Sequence, residues 1–547
     1  MSFKWESGDN YESSPAGSMI GMAVAEWLGI PRLIDSLVAY DSQCVLSPGN
    51  AVKAMIAPIF DARKKMPLCG LRNFHKGAPV DLLFGKNVSV DSLNDHALAR
   101  NLDRLYDAGL DELFWKCSQT VKRKLGFGSK LKHIDATNYT IWAVPQEYWE
   151  EGEAVPAFGG NAKNKRNDLM QYSAMTVTDG DRILEYCKAY SGNTSDTVMN
   201  ADTIEFLRRC TDPHENTIIA DCKLVNTDLI NEMRRTGLGF VSKLPSSYSG
   251  KIRERIVAAA LSSEMTDSSI GEYRTYETEC ETKECGKLRF IAYRSPKGTK
   301  RAMEYLERQG LRDAEKRFKE FAKKEFMCEA DAIAAFGDAM KKHVNSAYVV
   351  SYDVAGTEEI VPRNERGRPP RGYVPETKVT WKVNVSMSFD KERASELADA
   401  HGISVIVTNL PFATEDAPNV RYGATADTVL RLYLDQYKSE HVYRLMKSGM
   451  GVDSVYVRTP SRANALLFVV AIATLVSSVM DALLRRNGKG RHKTVKQIFG
   501  EMQSAVLNYR RNGSKMSVGP ALFEKEVFAC IGSIGLDPSF LLRTSGE

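Results

Sequence analysis

The chain has no CxxC pair among its ten cysteines, at positions 44, 69, 117, 187, 210, 222, 280, 285, 328 and 530. The closest two, Cys280 and Cys285, have no second pair beside them, so a zinc site is not expected. A disulfide framework is equally unexpected in 547 residues, because such frameworks belong to small secreted domains. No charge sign dominates: 74 lysines and arginines against 69 acidic residues leave a net charge of +5. That balance permits a nucleic-acid partner without requiring one, since binding depends on where cations cluster. The opening MSFKWESGDN lacks the basic stretch and apolar run of an export signal, and a cytoplasmic, reduced protein is expected. No internal repeat is visible. Nor does any apolar run reach the roughly twenty residues that span a bilayer. The longest, ALLFVVAIATLVSSVM at 465–480, holds about sixteen and reads as a buried helix of a core or subunit interface, with no membrane partner.

What is present is an ordinary globular composition, 43 % hydrophobic, with length for roughly three to four domain-sized units. Residues 1–130 read as an all-helical N-terminal domain, suited to DNA binding or dimerisation: apolar residues recur at three and four, and Pro or Gly separates the segments. At about residue 131 the texture changes. Over 131–249, three consecutive strand patterns precede alternating helix and strand, which implies a mixed α/β sheet flanked by helices. Residues 250–424 read as an α+β insertion. The end of the core follows at 425–490, with one long amphipathic helix at 425–447 and then the apolar helix; 491–547 is expected to be a helical tail.

Two acids stand out in strand patterns. Asp135 lies in HIDATNY, and Asp221 ends the apolar run TIIAD. Carboxylates in such runs are costly to bury unless they pair or hold a cation. A solvated strand end for Asp135 and a capped turn for Asp221 are the plain alternatives. A third acid, Glu440, falls in RLYLDQYKSEHVYRLMKSGM, where Tyr433, Gln436, Glu440, Arg444 and Lys447 recur at three and four and share a helix face. An acid flanked by cations on its own face suits a site holding both a metal ion and phosphates; a solvated face is the alternative. In the insertion, Arg366 and Arg368 with Gly367 and Pro369 form either a short arm for an A·T-rich minor groove or a charged loop. A charged helix with Arg312, Lys316, Arg317, Lys319, Lys323 and Lys324 tracks phosphates or faces water.

Longer stretches accompany these acids in order: LNDHALARNLDRLYDAG, HIDATNY, GGNAKNKRNDLMQYSAMTVTDG, SGNTSD, IIADCKLVNTDLINEMRRTGLGFVSKLP, FMCEADAIAAF, RGRPPRGY and VTNLPF. Over nearly its whole length the chain resembles the insertion-sequence transposases of the DDE class that carry the signature called YREK. Tyr433, Glu440 and Lys447 match that signature at its spacing, whereas Gln436 stands where the family has Arg. The resemblance implies a ribonuclease H-like core behind the helical module, interrupted by a large insertion before the last catalytic helix. It implies Asp135, Asp221 and Glu440 as catalytic residues and ligands of two magnesium ions, with manganese able to substitute. Tyr433, Gln436, Arg444 and Lys447 would contact the DNA backbone. The implied partners are double-stranded DNA, both terminal inverted repeats and target, and a second copy in a homodimer on DNA, in a bacterial or archaeal cytoplasm at the nucleoid. Water cuts the element's end and the freed 3′-hydroxyl joins target DNA. Two alternatives remain open: a decayed or domesticated derivative that binds DNA without cutting it, and a plain nuclease on the same fold.

Overall fold

A helix that is apolar on every side must be buried, and Ala16–Leu28 is such a helix: Met19, Ile20, Met22, Val24, Ala25 and Leu28 are each 1 % exposed or less. Gly29, at φ 79°, ends it by returning its N–H to the carbonyls of Ala25 and Glu26, a left-handed cap that glycine adopts without steric cost. Ser47 and Asn94 cap the helices Pro48–Ile56 and Asp95–Asp107 by accepting from the N–H groups of Asn50 and Ala97. Helix Leu110–Leu125 opens on Asp111 and Glu112 and closes on Lys122, Arg123 and Lys124, the charge order its dipole favours. Ahead of these helices lies a short strand, β1 (Tyr11–Pro15), so the N-terminal region is not purely helical.

The computed structural model describes residues 11–61, 68–141, 154–157, 169–245, 248, 250–295, 297–321, 323–341, 346–361, 371–414, 419–437, 442, 459–487, 493–512, 515–519 and 524–537. The chain divides into two compact units, Met1–Ser242 with Leu432–Glu547, and Lys243–Arg431.

In the first unit, β2 (Leu131–Ile141), β3 (Met170–Asp179) and β4 (Leu184–Tyr190) run as consecutive antiparallel neighbours. Helix Asp196–Cys210 then leads to β5 (Thr217–Ala220), and helix Thr227–Thr236 to β6 (Gly239–Lys243). Both β5 and β6 lie parallel to β2, in the order β4-β3-β2-β5-β6. This is a mixed sheet flanked by helices.

The second unit holds helix Gly250–Ser262, β7 (Thr266–Asp267), β8 (Arg274–Thr282), β9 (Gly286–Arg294), and the helices Gly298–Phe321 and Glu329–Lys341. A long ribbon of β10 (Tyr348–Ile360) and β11 (Thr377–Phe389) follows, then helix Lys391–His401 and β12 (Ile403–Thr408). Strands β12, β9, β8 and β7 are antiparallel neighbours in that order. Buried Arg289 on β9 pairs with Glu277 and donates to the carbonyls of Leu410 (3.4 Å) and Pro411 (2.9 Å), pinning the segment after β12. Arg366 and Arg368 lie outside the described residues.

The apolar run at 465–480 belongs to a helix of 28 residues, Pro460–Asn487. Among the described residues it is the one helix long and apolar enough to cross a membrane, so the expectation drawn from its shortness does not stand on length. Burial decides instead: 94 % of its apolar window is covered by the protein, in a core shared with helices Ala16–Leu28, Pro48–Ile56, Asp95–Asp107 and Leu110–Leu125 and with β4. Its Thr474, Ser477 and Ser478 hydroxyls donate back to the carbonyls of Val470, Ala473 and Leu475, so none is stranded in that core. The expected helical tail contains a hairpin as well as helices: β13 (Val506–Asn512) pairs with β14 (Lys515–Gly519) on one side and with β1 on the other.

His75, wholly buried between Phe74 and Phe84, donates from Nε2 to the Ala54 carbonyl at 3.2 Å. Burial pulls its pKa down from 6.5 to about 4. Because the unfolded chain takes up this proton first, the contribution is intact above about 6.5 and is lost as pH falls toward about 4. Thermal unfolding of His75→Gln should lack a loss of about 3 kcal/mol between those values that the parent shows; parallel pH profiles would disprove it.

Candidate active site

Side chains alternate across β2, with Lys132 and Ile134 on one face and His133, Asp135 and Thr137 on the other. The parallel register to β5 pairs Leu131 with Thr217, Lys132 with Ile218 and His133 with Ile219. The pairing ends there; continued for two residues at the same register it would set Asp135 opposite Asp221, the residue that follows β5. Asp221 has left the strand, but its φ of −70° and ψ of −178° keep the backbone extended in the strand direction. Its carbonyl accepts from the Ser242 hydroxyl at 2.6 Å, which ties it to β6. Asp135 is half-buried and its carbonyl accepts from Thr176, its partner on β3, at 3.2 Å.

Asp221 is exposed, and its Oδ1 accepts from the Lys223 N–H at 2.9 Å, capping the turn Cys222–Leu224. The capping alternative therefore describes real geometry. Capping and cation binding are compatible, because a carboxylate offers two oxygens with about four acceptor positions.

Tyr433 falls in helix Ala426–Leu434 and Gln436 in the turn after it, where the Gln436 N–H donates to the Tyr433 carbonyl at 3.1 Å. The single helix expected over 425–447 is interrupted by a turn at Asp435 and Gln436, with Tyr437 and Val442 again helical, so Tyr433 and Gln436 are not on one continuous helical face. Glu440, Arg444 and Lys447 lie outside the described residues. Among the described residues no group of three His, Cys, Asp or Glu side chains is placed to hold a metal ion. Asp135 and Asp221 are carried by neighbouring elements, β2 and the turn after β5, and two hard carboxylates are of the kind magnesium takes together with waters and phosphates.

Beneath this pair sits a charge cluster that sequence reading missed. Lys132 Nζ meets Glu185 Oε2 at 2.6 Å, and Lys122 meets Asp179 Oδ2 at 2.6 Å and also Glu185. All four residues are 4 % exposed or less. Burial, followed by the neighbouring Glu185, pushes the Asp179 carboxyl up to about 6. Burial pulls the Lys132 ammonium down, whereas for Lys122 the two carboxylates outweigh burial and raise it. The signal was in the alternation: Lys132 occupies the same face as apolar Ile134.

Residues 19–119 match a protein family described as a domain of unknown function (DUF4277). No curated protein matches the chain. Among solved structures it is similar to a piggyBac transposase, seen by cryo-EM in a synaptic complex with hairpin DNA. That likeness has 9 % identity over 90 % of this chain and 82 % of the other, at a TM-score of 0.36, too low to define fold or activity.

Proposed function

We propose that the chain is a DNA transposase of the DDE class, with Asp135, Asp221 and Glu440 as its acidic triad. The observation that carries the reading is the parallel register of β2 and β5, with Asp135 two residues beyond His133 and Asp221 two residues beyond its partner Ile219. Three antiparallel strands followed by two parallel ones, in the order β4-β3-β2-β5-β6, suit a ribonuclease H-like core and support it further.

Asp135 and Asp221, joined by Glu440, would hold two magnesium ions. The chemistry supplied by magnesium when bound is activation of the attacking oxygen and stabilisation of the leaving one. The chain's own residues do the positioning: Ser242 and the Lys223 N–H fix Asp221, and Thr176 fixes the backbone at Asp135. In the first step a water oxygen bonds to the end phosphate, the P–O3′ bond breaks, and the 3′-oxygen leaves with a proton. In the second that 3′-oxygen attacks a target phosphodiester, forming one P–O bond and breaking another. Tyr433, Gln436, Arg444 and Lys447 would grip the backbone between steps, a contact that fixes register without reading sequence.

The test is cleavage and strand transfer with magnesium, on a duplex carrying the inverted repeats that flank the coding sequence. Joined products from wild type and none from Glu440→Gln are expected. Full activity in that variant would remove Glu440 from the triad. Cutting without joining would favour a plain nuclease, and binding without cutting would favour the decayed copy, with Gln436 the first suspect.

A further inference from the structure

Helix Gly298–Phe321 of the second unit has two opposed faces. Ala302, Leu306, Ala314, Phe318 and Phe321 are 9 % exposed or less, and all but Ala314 belong to two small apolar cores of that unit. Arg301, Arg308, Arg312, Lys316 and Lys319 are all exposed. At about 100° per residue these five fall within about 80° of the circumference, on the side away from the buried row, in a line about 27 Å long.

Among the described residues none of the five side chains forms an ion pair, although Glu304 and Glu315 stand three or four residues from members of the line. Like charges at that spacing repel, and an anionic partner would relieve the repulsion. We propose that this line lies along the phosphate backbone of duplex DNA and supplies a hold that does not depend on sequence. The inference rests on the DNA-transposase reading and adds to it a contact surface remote in sequence from the triad. Duplex DNA carries one charge per about 1.7 Å of axis, so a line of this length meets more phosphates than it has cations. A membrane surface fits less well. The helix's apolar face is spent inside the unit, and among the described residues Tyr305, 55 % exposed, is the one exposed large hydrophobic on this helix.

The test is anisotropy binding of the full chain to a duplex of arbitrary sequence, about 30 base pairs long, across about 50–300 mM salt. Arg308→Ala, Arg312→Ala and Lys316→Ala combined should make the plot of log affinity against log salt shallower by about 2–3, and weaken binding at least about tenfold near 0.1 M. Alanine favours helix, so the melting temperature should hold. If wild type binds and the triple variant matches it in slope and affinity, this surface is excluded and the transposase reading stands. If wild type binds no duplex, both fall. Loss of binding to phosphatidylserine vesicles with duplex binding intact would assign the line to a membrane and overturn the proposal.

Discussion

Asp221→Asn should abolish magnesium-dependent cleavage while leaving the protein folded and bound to DNA. Asparagine keeps a side-chain oxygen that can accept from the Lys223 N–H, so the turn Cys222–Leu224 retains its cap and the melting temperature should stay within about 1 °C of wild type. The negative charge is what disappears, and with it, under the proposed function, a ligand for the divalent ion. Removing one electrostatic element of a preorganised site typically costs on the order of 10²–10³ in rate, and a lost metal ligand should cost at least that. Single-turnover cleavage of an end duplex, with binding followed in parallel, measures both quantities. An Asn variant that cuts within about tenfold of wild type would strip Asp221 of its role. One that fails to bind would mean the side chain is structural.

The second large effect lies in the buried cluster. Lys132→Met leaves Glu185 and Asp179 sharing Lys122 alone in a buried site. Breaking a buried ion network from one side costs about 3–5 kcal/mol, and this substitution should cost that much in chemical unfolding. Adding Glu185→Leu should restore most of it, since the remaining Lys122–Asp179 pair, 2.6 Å apart, is neutral as a unit. If the double variant is as unstable as the single one, the loss came from packing and not from charge. The pH dependence has its own sign. The Asp179 pKa in the fold, about 6, stands above its ordinary 3.8, so its contribution favours folding at low pH and is withdrawn as pH rises between those values. That trend opposes the one expected from His75, and each is therefore visible only against its own variant.

Much of this was readable from residue order alone. The alternation in HIDATNY and the apolar run TIIAD identified strands β2 and β5, with Asp135 on the first and Asp221 just past the end of the second. What residue order could not give was their register, because strand pairing is set by contacts between residues far apart in the chain, such as Leu131 and Thr217. The apolar helix was read short because residues 460–464 and 481–487 carry Ser, Arg, Asn and Asp, and only tertiary contacts reveal that those turns continue it. Strand β10 escaped notice because its exposed half, with Gly356, Glu358 and Glu359, has no buried face to impose a period. Lys132, Asp179 and Glu185 escaped for the opposite reason: charged residues are read as surface, and their burial depends on partners that pairing alone supplies.

The shared core of the first unit also sets a timetable for synthesis. Helices Ala16–Leu28 through Leu110–Leu125 leave the ribosome early, yet the helix that completes their packing, Pro460–Asn487, is made more than three hundred residues later. At roughly 5–20 residues per second that interval is roughly 20–70 s, during which a wide apolar surface has no permanent cover. The nascent chain should therefore be protease-sensitive in its N-terminal helices until residue 487 has emerged, and dependent on chaperones for as long as that helix is missing.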